Sequence, residues 1–414
     1  MIYQLSLISR FLLYALLVFS PLARGGVQPW AIAVIEIVTL IALALFLIER
    51  SLKWDWKWIR TPLDLPILCL VILCLLSVVF SVHRPTSLWS FILLLNYLTI
   101  LYLTIHLITG TRSRLKVLIY LIIGIAAFLS VFGLFKKFGM NPFSWWDYGD
   151  LKYSPDILSA TFGNSNHLAG YLEMSIPLLL GLFLLEHRGG KLFLIIYLTI
   201  LLFSALILSL SRGGWIGMLI GLSFMSVSLL VSVYFKRKIL LISAIIGTVF
   251  AALVILASTP VVEEIRTLAE MDQTPNLAQR MVVWGGVLDM IRDYPILGSG
   301  PGTFATVFTQ YQPSGIAAYY NYSHNDYLHF ISETGLLLVV LIIWMGISLY
   351  RKGFEKLKNP SRLVRGTALG AMTGITAILI HSIVDFNLHI PANAILFTIL
   401  VAIVIAPLPS SDKP

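Results

Sequence analysis

Long apolar runs succeed one another along this chain, and the short stretches between them carry most of its charge. A helix that crosses a bilayer needs roughly 20 mainly apolar residues. Twelve runs approach that length, at about 8–22, 30–49, 65–81, 88–108, 115–135, 167–185, 191–210, 213–235, 239–259, 328–350, 366–386 and 391–407. They are continuous and do not alternate in polarity, which predicts helices rather than barrel strands. The expected fold is an all-α membrane protein of about 12 transmembrane helices, a single polytopic domain over residues 1–414. Two connecting segments are too long to be turns, about 136–166 and 260–327. The second lies between spans nine and ten and is expected to be partly helical. Within it Thr274 reads as an N-cap and Pro275 as the first helical residue. Arg280, Trp284, Leu288 and Ile291 then share a helical face, and Pro295 with the Gly298–Gly302 run ends the helix in turns.

Composition supports lipid as the solvent. The chain is 58% hydrophobic and 12% charged, with a mean hydropathy of +0.89, whereas soluble domains carry about 25% charged residues. The net charge of +9 does not point to nucleic acid, because the basic residues sit in short loops between apolar runs. With the N-terminus on the cytoplasmic side, the cytoplasmic loops hold eighteen Lys and Arg and the longer outer loops nine. The positive-inside rule therefore favours that orientation, with both termini cytoplasmic. Cys69 and Cys74 share one apolar run and suggest no disulfide framework. The first run lacks a small-residue cleavage site and reads as a retained helix. The alternating Trp54–Trp58 stretch reads as an interfacial anchor.

On this layout the polar residues with chemical potential gather at the outer face. Thr161–His167, with Asn164 and Asn166, opens span six. Ser211-Arg212-Gly213-Gly214 lies between spans seven and eight. Arg280 and Trp284 follow in the long loop. Ser323-His324-Asn325-Asp326-Tyr327, with Glu333 beyond, opens span ten, and His381, Asp385 and His389 lie at the outer end of span eleven. An arginine inside a span is costly and a membrane hairpin does not require one, so Arg212 is either snorkelling or binding. Gly213 and Gly214 would let a ligand approach the backbone, and with Arg280 a cationic pair would suit a pyrophosphate. His324 is the side chain type best suited to take a proton near neutral pH. His329 and Glu333 are four apart and can pair. His381, Asp385 and His389 would present metal-ligand spacing if the helix runs that far, but no Cys or second carboxylate completes a set, and no metal is expected. Gly298–Gly302 lacks the strand, the helix and the lysine of a phosphate loop.

Taken in order, these motifs resemble the O-antigen ligase and polymerase superfamily of bacterial membrane glycosyltransferases. The resemblance rests on Thr161-Phe162-x-Asn164-x-Asn166, Ser211-Arg212-Gly213-Gly214 and Arg280-x3-Trp284. It continues through Asp293-x-Pro295-x-Leu297-Gly298-x-Gly300-Pro301-Gly302-x-Phe304 and His324-Asn325-Asp326-Tyr327-Leu328-x4-Glu333-x-Gly335-Leu336, and spans about 160–395. Leu338 stands where relatives often place Gly. The resemblance implies transfer of an undecaprenyl-pyrophosphate-linked glycan, on the periplasmic face of the inner membrane, to lipid A-core or another glycan or protein acceptor. It implies a metal-independent, inverting reaction without a cofactor. By motif, Arg212 and Arg280 would bind the donor diphosphate and His324 would act on the acceptor hydroxyl. Asn164, Asn166, Ser211, Trp284, Asn325, Asp326, His381 and Asp385 would surround them. The competing readings are a polymerase of lipid-linked repeats, a protein O-oligosaccharyltransferase and a multi-helix transporter. A transporter should place charges or broken helices near mid-membrane. Here mid-span charges are few, and Glu36 and Glu173 are the exceptions placed inside or near apolar runs.

Overall fold

A computed structural model of the chain describes residues 2–140, 143, 157–184, 189–235, 239, 242, 246, 275–314 and 319–408. Among these residues every regular element is helical. The helices are α1 (Ile2–Leu22), α2 (Pro29–Lys53), α3 (Asp64–Val79), α4 (Arg84–Ile108), α5 (Arg112–Lys137), α6 (Ser165–Phe183), α7 (Gly190–Leu208) and α8 (Arg212–Val231). After the undescribed stretch come α9 (Pro275–Asp293), α10 (Phe304–Val307), α11 (Asp326–Thr334), α12 (Leu337–Lys356), α13 (Arg362–His381) and α14 (Pro391–Ile405).

Eight of these are long and apolar enough to cross a membrane: α1 from Gln4, α2, α4, α5, α7, α8, α12 and α13. The protein is a multi-pass membrane protein, with large apolar side chains such as Leu40, Leu219, Val227 and Ile347 turned outward where lipid would lie. The expected figure of twelve is not confirmed among the described residues. The runs read at 65–81 and 391–407 form the shorter apolar helices α3 and α14. The run at 167–185 forms α6, which is almost wholly buried inside the bundle. The run at 239–259 lies outside the described residues apart from Ile239, Ile242 and Ile246.

Two helix ends differ from the sequence reading. The run at 328–350 is not one span: α11 ends at Thr334, and Gly335 at φ 85° turns the chain into α12. A side chain at Gly335 would strike the carbonyl of Ile296, so the break is where the long loop docks. The run at 366–386 starts earlier, at Arg362, and stops at His381. Asp385 and His389 then lie in the following turns, so no continuous helix presents His381, Asp385 and His389 as metal ligands.

The centre of the bundle is α13, sandwiched between α6 and α8. Close approach without a hydrophobic driving force requires small residues at the contact, and α13 supplies Gly366, Gly370 and Gly374. A Cβ on Gly370 would lie 2.5 Å from the carbonyl oxygen of Pro177, and one on Gly374 2.8 Å from that of Met174. From the other side, Gly217 of α8 lies so close that a Cβ there would be 2.6 Å from the carbonyl oxygen of Ala377. Since α13 runs antiparallel to both neighbours, its C-terminal end meets the N-terminal ends of α6 and α8.

The loop region after residue 275 has its own small core: Val283, Val287, Met290 and Ile291 of α9 pack with Phe304, Val307 and Phe308. The described part of α9 begins at Pro275, and Thr274, the expected cap, lies outside the described residues. Leu288, expected to share a face with Arg280, Trp284 and Ile291, is 47% exposed, and Val283, Val287 and Met290 take the buried side. Four-residue steps from 280 drift off a 3.6-residue period, and Leu288 is where the drift leaves the face.

Candidate active site

The turn after α13, residues 382–389, is where the separated polar motifs meet. Its central side chain is Asp385, 1% exposed. One carboxylate oxygen accepts a hydrogen bond of 2.6 Å from Asn166 Nδ2 and lies 3.9 Å from an Arg280 guanidinium nitrogen. The other accepts from the Phe386 amide at 2.8 Å and lies 3.7 Å from His324 Nδ1. Arg280 also donates to the Val384 carbonyl. Burial alone would raise the Asp385 pKa, but the His324 imidazole, the Arg280 guanidinium and the buried histidines nearby outweigh it and hold the carboxyl well below the usual range.

Local sequence explains each placement. Asn164 caps α6, its side chain accepting from the Asn166 amide at 2.9 Å, which sets the Asn166 side chain at the helix entry facing Asp385. Ser211 caps α8, its hydroxyl accepting from the Gly214 amide at 3.2 Å. Arg212 is therefore the first residue of α8. Gly213 lies against His381 and Val384, and Gly214 against Ala169. Both glycines serve helix contact here. Asn325 caps α11, accepting from the Leu328 amide at 3.0 Å.

Asp326 is a structural staple. Its amide donates to the Ser382 and Asp385 carbonyls at 2.9 and 3.1 Å. Its carboxylate takes the Leu388 amide at 3.0 Å and His389 Nδ1 at 2.6 Å. Trp284 donates to the Ser323 carbonyl at 2.9 Å, holding the residue before His324. His324 itself sits at φ 53°, a left-handed conformation uncommon for a residue with a Cβ and typical of functional sites.

Sorted by accessibility, the predicted residues separate. His324 and Arg280 side chains are 32% and 24% exposed, and Arg212 is half-buried. Ser211, Asn325, Asp326, His381 and Asp385 are buried. His324, Arg280 and Arg212 are thus partly accessible, as are Asn164, Asn166 and Trp284.

Two features were not read from the sequence. Glu173, noted only as a charge within an apolar run, accepts or shares a proton with His381 Nδ1 at 3.0 Å, and His381 Nε2 lies 3.4 Å from Ser211 Oγ. This buried chain links α6, α13 and the start of α8. The Gly298–Gly302 run, set aside as a phosphate loop, cradles a carboxylate of the chain itself: Glu333 accepts from the Gly302 amide at 2.7 Å and the Phe304 amide at 2.9 Å. His329 lies 3.3 Å from Glu333, as their spacing suggested. The Ser323 amide donates to His329 Nδ1 at 3.4 Å, which assigns the imidazole proton to Nε2, facing Glu333. Burial, then the neighbouring His389, lowers the His329 pKa. Burial would raise that of Glu333, but His329 and the Gly302 amide bring it down. No group of His, Cys, Asp and Glu among the described residues could hold a metal ion.

A polytopic helical protein with a charged, partly open centre at one end of its bundle is the class that fold and site define. A family model described as O-antigen ligase matches residues 196–343. Over that segment the chain is similar to the O-antigen ligase family. The matched stretch contains Arg212, Arg280 and His324, and stops before Asp385. No curated protein matches the chain.

Proposed function

We propose that this chain transfers a glycan from undecaprenyl pyrophosphate to an acceptor hydroxyl, of lipid A-core or a similar surface molecule, at the periplasmic face of the inner membrane. The observation that carries the reading is the convergence of Arg280, His324 and the α8 entry beside Arg212 on the Val384–Asp385 turn, within and next to the O-antigen ligase segment.

The geometry supports a division of labour. A diphosphate leaving group carries negative charge that grows as the glycosidic bond breaks. Arg212 and Arg280 neutralise it, assisted by the positive ends of α6, α8 and α11 gathered at the same end of the bundle. Asp385 stays ionised and turns His324 so that Nδ1 faces inward. His324 Nε2 then takes the acceptor's proton as the oxygen attacks the anomeric carbon opposite the departing diphosphate, inverting it. The 3.7 Å separation of His324 from Asp385 suits a pair that closes on substrate binding, since such bonds are often long before the substrate arrives. The donor is already activated, so this chain's residues need no metal or cofactor for the step.

Complementation decides between ligase and polymerase. The gene is expressed in a strain lacking its O-antigen ligase and, separately, in one lacking its O-antigen polymerase, and lipopolysaccharide is resolved on gels. A restored ladder on lipid A-core in the first strain only supports the ligase reading. Restored chain length in the second strain only overturns it in favour of polymerisation.

A further inference from the structure

At the end of the bundle away from Asp385, the structure holds a second polar feature that the transfer reaction does not use. Helix α12 runs from Leu337, just after α11, to Lys356, a length of about 30 Å at 1.5 Å per residue. An open cavity of about 330 Å³ lies at that far end, lined by Lys352, Glu355, Lys356, Lys358, Asn359 and by Pro407 and Leu408, which follow the last helix. The last turns of α12, the first turn of α13 and the connection between them form the most basic such stretch of the sequence, with Arg351, Lys352, Lys356, Lys358, Arg362 and Arg365.

The members of this cluster are not equivalent. Arg365 donates to the Asn359 and Pro360 carbonyls at 2.6 and 3.1 Å, closing the loop. Lys352 pairs with Glu355 at 2.9 Å. Lys356 is only 6% exposed and donates to the Ile403 carbonyl at 2.8 Å. Among the described residues no carboxylate lies within ion-pair distance of its ammonium. An ammonium kept charged at this depth needs a counter-ion, and a lysine has three donors, of which the Ile403 carbonyl takes one. The cavity beside it is where a complementary anion fits. Its position at the ends of two apolar helices is the depth at which lipid headgroups lie, and basic pockets between transmembrane helices bind such groups.

We propose that this cavity holds the phosphate of an anionic lipid headgroup, with Lys356 Nζ as its buried donor and Lys352 and Lys358 at its rim. Phosphate is the shared chemistry of a lipid headgroup and of free phosphate, and binding measurements separate the two sources. The full-length protein in neutral detergent is titrated with phosphatidylglycerol, phosphatidylcholine or inorganic phosphate, and bound lipid is counted by native mass spectrometry beside the thermal midpoint. Preferential binding of phosphatidylglycerol with a raised midpoint is expected. Lys356→Met should bind it about tenfold more weakly, the loss of one charge-assisted hydrogen bond, while its midpoint in phosphatidylcholine is at least that of the parent. If that variant does not fold, Lys358→Gln at the rim should weaken phosphatidylglycerol binding severalfold. An effect of inorganic phosphate equal to that of phosphatidylglycerol keeps the anion site and assigns it to the soluble ion. Equal binding of phosphatidylglycerol and phosphatidylcholine, or unchanged binding in the lysine variants, overturns the proposal.

Discussion

At the residue scale, the site depends on charges whose partners are built in. Asp385 has four neighbours that want its negative charge or its lone pairs. Asp385→Ala leaves the Asn166 amide and the Phe386 N–H without an acceptor and should cost about 1–3 kcal/mol of stability. Asp385→Asn keeps much of the hydrogen bonding but removes the charge facing Arg280 and His324. It is expected to fold near normally and to lose transfer, read as thermal midpoint against glycan transfer by the same preparation. His329 and Glu333 give the protein a defined response to acid. The lowered His329 pKa means that the unfolded chain gains a proton that the folded one refuses, so stability falls as pH drops below about 6.5. Glu333, also lowered, contributes stability above about pH 4.3 that is lost as pH falls through its folded value. Thermal midpoints measured from pH 7.5 to 5 should therefore decline, and His329→Leu, though less stable overall, should show a flatter slope. An unchanged slope would place the acid response elsewhere.

At the scale of elements, α13 is the beam on which the site is mounted, and its contacts are those of small residues. Gly370→Leu would drive a side chain into the Pro177 carbonyl and should cost at least the 1–3 kcal/mol typical of overpacking, seen as loss of folded protein in detergent. Glu173→Ala strands His381 in the bundle, whereas Glu173→Gln can still hydrogen-bond it. The expected order of thermal midpoint is parent, then Gln, then Ala, and identical midpoints for Gln and Ala would deny the pair a structural role. The helices were legible in the sequence because uninterrupted apolar runs admit few other structures. The α11–α12 break was not, since Gly335 looks like any glycine in an apolar run until the Ile296 carbonyl is seen against it. The Gly366, Gly370 and Gly374 spacing was present in the sequence and went unread. The polar motifs could be found one by one, because Asn, Asp and His at span ends have no place in lipid. Their partners could not. That Asp385 serves Asn166, Arg280 and His324, or that Gly302 and Phe304 hold Glu333, depends on positions set by packing between distant segments.

At the scale of the whole molecule, the protein keeps a lipid-facing bundle and a charged centre apart by length alone. The proposed chemistry sits where helix N-termini meet the end of α13, and the basic residues at the far ends of α12 and α13 lie about a membrane thickness away. The central claim is that Arg212, Arg280 and His324 act together on a lipid diphosphate donor. Its most direct test is glycan transfer by the purified, reconstituted protein from a lipid-diphosphate-linked donor to a hydroxyl acceptor, measured for the parent and for His324→Ala, Arg212→Ala and Arg280→Ala at matched amounts of folded protein. The account predicts that His324→Ala slows transfer by about 10²-fold or more, and that each arginine variant falls to a small fraction of the parent rate. Transfer at the parent rate by His324→Ala, or by both arginine variants, would contradict it.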